Sequence, residues 1–186
     1  STGSGVGGFT LPTGFIQTGT SISNLQLGDL KTYGTVSMTA GALNTVTGGT
    51  PNFPINIDVG GLYGSGTTNL TAHNVNLQFP GVTTQNTPVS LLVGSAVPGY
   101  SAAVATGSSA TSTISLTGGI TTNGNLGAVT LGAGDGITAT AAPINTSGGS
   151  VTVINTPPLN NASAESITFD TASAINAGGG DVVVRN

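Results

Sequence analysis

The chain has 186 residues and a mass of 17.9 kDa, and its side chains are small: glycine and threonine each fill 31 positions. Only 4% of the residues are charged, against about 25% in an ordinary soluble domain. The two basic residues, Lys31 and Arg185, cannot neutralise a run of phosphates, which excludes a nucleic-acid-binding protein and argues against attachment to an anionic membrane. With no cysteine, the chain has no disulfide and no thiolate site, and no apolar run is long enough for a transmembrane helix.

Short strand-like runs, each ended by Gly, Asn or Pro, follow one another along the chain. In the first half they cover residues 24–27, 35–39, 55–59, 74–79 and 88–93. In the second half they cover residues 113–117, 128–131, 137–140, 150–154, 166–169 and 181–184. Good helix formers other than Ala and Leu are nearly missing. The sequence therefore predicts an all-β chain.

A strand–turn–strand segment repeats in the second half. Residues 142–153 align without gaps with residues 173–184, and the shared pattern is Ile-Asn-x-x-Gly-Gly-x-Val-x-Val. A looser copy occupies residues 119–131, and a further apolar strand precedes each copy. These segments define three repeats of three strands. The leading apolar residues are Ile114, Ile120 and Val129 in repeat 1, Ile137, Ile144 and Val151 in repeat 2, and Ile167, Ile175 and Val182 in repeat 3.

Three short strands in about 22 residues are the spacing of one coil of a parallel β-helix, in which each coil stacks on the one before. We therefore predict a right-handed parallel β-helix. Strand spacing alone also fits an antiparallel β-sandwich or jelly roll, which stays the alternative. We expect one continuous elongated domain, with three coils in residues 112–186. Residues 1–111 are expected to form divergent coils, with an insertion, long loop or divergent coil at 80–111.

Three kinds of segment resemble the filamentous-haemagglutinin type of bacterial surface adhesin, which is exported by two-partner secretion. They are residues 28–41, residues 134–140 and the two Ile-Asn-x-x-Gly-Gly-x-Val copies. The resemblance implies a right-handed parallel β-helix and a role in adhesion or in a surface fibre. The Asn-Pro-Asn motifs of that family's secretion domain are absent, so we expect an interior stretch of such a protein or a shorter relative.

Because some β-helices are enzymes that act on carbohydrates, the acidic residues need testing as catalytic groups. Asp135, Glu165, Asp170 and Asp181 are expected at different phases of the repeats, so that no column of carboxylates forms. His73, the single histidine, has no Gly-x-Ser-x-Gly nucleophile motif beside it and is expected on a surface strand. We predict no catalytic, cofactor-binding or metal-binding residues, no cofactor and no enzymatic activity.

Three weaker patterns have simpler interpretations. Gly178, Gly179 and Gly180 lack the Lys-Ser/Thr of a phosphate loop and are expected to form a turn. The Thr-x-Thr pairs at 18/20, 45/47, 111/113 and 138/140 are too irregularly spaced to form one ice-binding face. Asn69, Asn145 and Asn161 begin N-glycosylation patterns that so many Asn, Ser and Thr residues produce by chance.

The sequence therefore predicts an extracellular structural protein, a stiff β-solenoid of a cell-surface adhesin or fibre. Its expected partners are copies of itself or the rest of a longer adhesin, and surface glycans or proteins, without nucleic acid or membrane insertion. One alternative is a sandwich-type pilus or filament subunit that polymerises by strand addition, through residues 7–16 or 181–185. A third hypothesis is a carbohydrate-acting enzyme that uses an acid such as Asp170.

Overall fold

A computed structural model describes residues 9–11, 25–26, 34–38, 54–60, 62–65, 69–72, 74–98, 100, 110–157 and 165–186. The strands of the first part are β1 (Phe9–Leu11), β2 (Leu25–Gln26), β3 (Gly34–Met38), β4 (Ile55–Val59), β5 (Leu62–Ser65) and β6 (Asn69–Ala72). They are followed by β7 (Val75–Phe79), β8 (Val82–Gln85), β9 (Val89–Val93) and a 3-10 turn (Gly94–Ala96).

The remaining strands carry the three predicted repeats, with three strands in each. Repeat 1 contains β10 (Ser112–Leu116), β11 (Ile120–Asn123) and β12 (Val129–Ala133). Repeat 2 contains β13 (Gly136–Ala139), β14 (Ile144–Thr146) and β15 (Val151–Asn155). Repeat 3 contains β16 (Ser166–Phe169), β17 (Ile175–Asn176) and β18 (Val182–Arg185).

These strands form three parallel sheets. Sheet 1 has the order β1-β3-β7-β10-β13-β16, sheet 2 the order β8-β11-β14-β17, and sheet 3 the order β2-β4-β9-β12-β15-β18. In the described part of the chain only β5 and β6 pair antiparallel. An antiparallel sandwich would need antiparallel neighbours throughout its sheets, so the alternative fold does not describe this chain. The prediction of an all-β chain is confirmed.

From β7 onward, three consecutive strands visit sheets 1, 2 and 3 in turn, and the next three strands pair with them in parallel. The unit β7–β9 and repeats 1, 2 and 3 are therefore stacked copies of one arrangement. This topology is compatible with a parallel β-helix.

The strand register confirms the repeat alignment residue by residue. The three leading positions of the repeats pair across the sheets as Ile114 with Ile137 and Ile167, Ile120 with Ile144 and Ile175, and Val129 with Val151 and Val182. The offset of 31 residues read from the sequence is also the register of β14 with β17 and of β15 with β18.

The core is built from columns of like side chains. Alternate residues of each strand point inward, as in β10 and β15, where every second residue is buried. Because the strands pair in register, inward residues of successive units stack about 4.8 Å apart. Leu77, Ile114 and Ile137 form one such column, and each is almost fully buried. The columns bury apolar surface along the whole stack, which is the main stabilising contribution to the fold.

A column of buried threonines lines the side of the core next to sheet 2. Thr84, Thr122 and Thr146 are level with one another in β8, β11 and β14. Each hydroxyl donates to a backbone carbonyl of the turn that leads to sheet 3: Thr84 to Thr87 at 2.9 Å, Thr122 to Gly127, and Thr146 to Gly149. These buried hydroxyls therefore tie each strand of sheet 2 to its following turn.

Residues 80–111 contain regular structure in their described part. The strands β8 and β9 pair with β11 and β12 of repeat 1, so they extend sheets 2 and 3 by one unit. Residues 101–109 lie outside the described residues. The division of the chain into an irregular first part and three coils, as one elongated domain, stays a prediction.

Candidate functional site

The outer face of sheet 1 carries two rows of neutral polar residues. One row contains Asn76, Thr113, Gly136 and Ser166, and the other contains Gln78, Ser115, Thr138 and Thr168. The hydroxyls of Thr113 and Ser115 both donate to Oδ1 of Asn76, at 3.2 and 3.4 Å. The rows are thus partly ordered by their own hydrogen bonds and present donors and acceptors without charge.

The outer faces of sheets 2 and 3 continue this pattern with fewer polar residues. On sheet 2 the outward row is Thr83, Thr121, Asn145 and Asn176. On sheet 3 one row is Asn56, Ser90, Thr130, Thr152 and Val183. The other is Asp58, Leu92, Gly132, Ile154 and Arg185. A side chain at Gly132 would collide with Leu92 and Ala96, so the turn after β9 lies against this face.

The inward rows of repeat 3 are only partly covered, and we call this surface the uncovered end. Val182 and Val184 are 49% and 51% exposed, whereas their partners Val151 and Val153 in repeat 2 are completely buried. Ile167, Phe169 and Ile175 are partly buried against the core. The uncovered end is therefore a cross-section of the apolar core that meets solvent.

Asp135 is buried at the turn from sheet 3 to sheet 1. Its Oδ2 accepts hydrogen bonds from the Ser112 backbone N–H at 2.6 Å and from the Ser112 hydroxyl at 3.3 Å. Burial, followed by the negative charge of Asp135, raises the pKa of Tyr100 above its ordinary value. These contacts join repeat 1 to repeat 2, which gives Asp135 a structural role in the turn.

The expectation that the four acids lie at different phases is wrong for one pair. Gly136 of β13 pairs with Ser166 of β16, so the preceding residues Asp135 and Glu165 hold equivalent positions. Both residues come two positions before the leading isoleucine of their repeat. The expectation for Asp181 is confirmed, since pairing of the valines that follow makes it level with Ser150 and Ala128.

Asp170 closes the turn between β16 and β17. Its Oδ1 accepts from the Ser173 hydroxyl at 2.5 Å and from the Ala172 N–H at 3.1 Å. Its Oδ2 accepts from the Ala141 N–H of repeat 2 at 3.0 Å. The bonds from the Ser173 hydroxyl and then from the Ala141 N–H hold the pKa of Asp170 below its ordinary value of 3.8. The carboxylate suggested as a catalytic acid thus has several hydrogen-bond donors within its turn.

The other residues considered from the sequence fall into two groups. Gly178 and Gly179 have positive φ in the turn after β17, as predicted. Thr113 is level with Gly136 and Thr138 with Ser115, so these Thr-x-Thr pairs are out of phase, also as predicted. Asn145 lies half-buried on the outer face of β14, with its neighbour Thr146 turned inward. His73, Asp29, Lys31, Asn161 and the first two Thr-x-Thr pairs lie outside the described residues.

Two searches concern metals and membranes, within the part of the chain that the structure describes. No group of three or more His, Cys, Asp or Glu side chains is placed to hold a metal ion. Among the described elements there is also no helix with the length and apolar character needed to span a bilayer.

The buried threonines and the buried Asp135 were not anticipated from the sequence. A signal for the threonines is present: each stands two residues after the leading apolar residue of its strand, at Val82, Ile120 and Ile144. Residues two apart on a strand share a face. Comparison with protein-family models, with curated proteins and with solved structures found no match for this chain.

Proposed function

We propose that the chain is a right-handed parallel β-helix that forms the stiff stalk of an extracellular adhesin or surface fibre. The observation that carries the proposal is the in-register pairing of equivalent residues in successive three-strand units. Such units add length without changing the cross-section, because each unit contacts only its neighbours. A molecule built this way is suited to hold a contact surface away from a cell.

The resemblance to the filamentous-haemagglutinin type of adhesin supports the same proposal from the residues. The Ile-Asn-x-x-Gly-Gly-x-Val pattern that carries it supplies the inward Ile and Val, the outward Asn and the glycine turns of repeats 2 and 3. We propose a non-enzymatic role in which the neutral outer rows contact surface glycans, surface proteins or other copies of the chain. The scarcity of charge favours such contacts because little electrostatic repulsion opposes them.

The test uses intact cells that make the protein. An antibody against the chain should label thin projections outside unpermeabilised cells in immunogold electron microscopy. Cells that lack the chain should lose the label and attach less well to surfaces or to other cells. Label that appears only after permeabilisation, or attachment that is unchanged without the chain, would contradict the proposal.

A further inference from the structure

The uncovered end repeats a surface that already binds a three-strand unit within the molecule. Repeat 3 packs on the row of Ile144, Val151 and Val153 in repeat 2, and these three side chains are completely buried. At the same positions repeat 3 presents Ile175, Val182 and Val184 on its free side. The surface that holds repeat 3 is therefore displayed a second time, so its natural occupant is another parallel unit with inward Ile and Val.

The backbone at this end is also open to pairing. The strands β16, β17 and β18 are the outermost strands of sheets 1, 2 and 3, and each has one strand neighbour among the described residues. An outermost strand presents a row of N–H and C=O groups that can pair with a further strand. Apolar rows and backbone edges thus lie together on one surface.

The opposite ends of two sheets offer complementary edges. The outermost strands there are β1 in sheet 1 and β2 in sheet 3. Since all pairs within these sheets are parallel, a second copy shifted along the stack would bring its β1 to β16 and its β2 to β18 without reversing strand direction. Contact between different surfaces of two copies does not close on itself and gives an open series.

We propose that the uncovered end binds the β1–β2 end of a second copy of this chain, head to tail, by adding parallel strands in register. The inference rests on the proposed function, because it takes the stacked units to be segments of one rod. It deepens that function by naming a second copy as the partner at this end. Assembly would lengthen the rod by repeating the contact that joins repeats 2 and 3.

The test places a charge on the uncovered end of the full chain. Val182→Lys and Val184→Lys put an ammonium into the apolar row, whereas Val183→Lys makes the same change on the outward side of the same strand. Sedimentation velocity over a hundredfold range of concentration should show the unaltered chain and Val183→Lys growing through an open series of masses. Val182→Lys and Val184→Lys should sediment as monomers, with circular dichroism spectra that match the unaltered chain.

Three results would overturn the inference. The unaltered chain could stay monomeric at every concentration, or Val183→Lys could abolish growth as fully as the other two variants. A mass that stops at a dimer would indicate two identical ends joined by antiparallel edges instead. None of these results would remove antibody label from intact cells, so failure of the inference is distinguishable from failure of the proposed function.

Discussion

At the scale of single residues, the two glycines of the repeated Gly-Gly pattern serve different purposes. Gly148 and Gly179, the first of each pair, have φ of 115° and 109°, which side-chain-bearing residues rarely adopt. Gly149 and Gly180, the second of each pair, leave no space: a Cβ would lie 2.5 Å from the carbonyl oxygen of Gly127 or Gly149. The turn could be predicted from the sequence. The steric role of the second glycine could not, because it depends on the backbone of the preceding unit.

The buried threonine column gives a prediction at this scale. Thr122→Val keeps the shape of the side chain but leaves the Gly127 carbonyl without its buried donor. We expect a loss of about 1–3 kcal/mol in the free energy of unfolding, measured by urea denaturation. Thr121→Val makes the same change one residue earlier on the outer face of β11, and should change stability by less than about 0.5 kcal/mol. Equal losses in the two variants would contradict the assigned role.

At the scale of elements, prediction from the sequence succeeded where like strands recur. The pairing of β14 with β17 followed from the shared Ile-Asn, although β17 spans only Ile175–Asn176. The hairpin of β5 and β6 and the strand β8 were not among the predicted strands. The unit β7–β9 could not be phased, because the chain between β9 and β10 departs from the repeat length that separates the later units.

The turn between β16 and β17 gives a prediction for pH. Asp170 has a lowered pKa in the folded state, so its ionised form stabilises the fold above its unfolded pKa of about 3.8. That stabilisation is lost as the pH falls through the lower folded value. We expect the denaturation midpoint of the unaltered chain to fall below about pH 4, and Asp170→Asn to remove much of this fall.

Asp181→Asn is the matched control for this prediction, because Asp181 is an exposed acid of the same repeat. That variant should retain the acid dependence of the unaltered chain. Denaturation curves between pH 6 and pH 2.5 make the comparison. If Asp170→Asn follows the same pH profile as the unaltered chain, the hydrogen bonds of Asp170 do not contribute to stability as argued.

At the scale of the whole molecule, small residues and scarce charge fit the way the units stack. Narrow turns need glycine, the core needs columns of like apolar residues, and the outer rows are hydrated by Thr, Ser and Asn. The parallel class of the sheets and the register of repeats 1 to 3 were predictable, because identical residues recur at equal spacing. Burial of Asp135 was not, because its position became clear only from the pairing of β10 with β13.

The central claim is that equivalent residues of successive units are neighbours across a parallel sheet, and engineered disulfides test it directly. The chain has no cysteine, so a pair can be introduced without competing thiols. Thr130→Cys with Thr152→Cys joins paired outward positions of β12 and β15, whose Cα atoms should lie within the 4.4–6.8 Å range usual for disulfides.

The control pair combines Thr130→Cys with Ile154→Cys, which lies two residues out of register. After mild oxidation, mass spectrometry of digested monomer should find the disulfide in most molecules of the in-register pair and in few of the control. A disulfide that forms in the control pair but not in the in-register pair would contradict the stacked register.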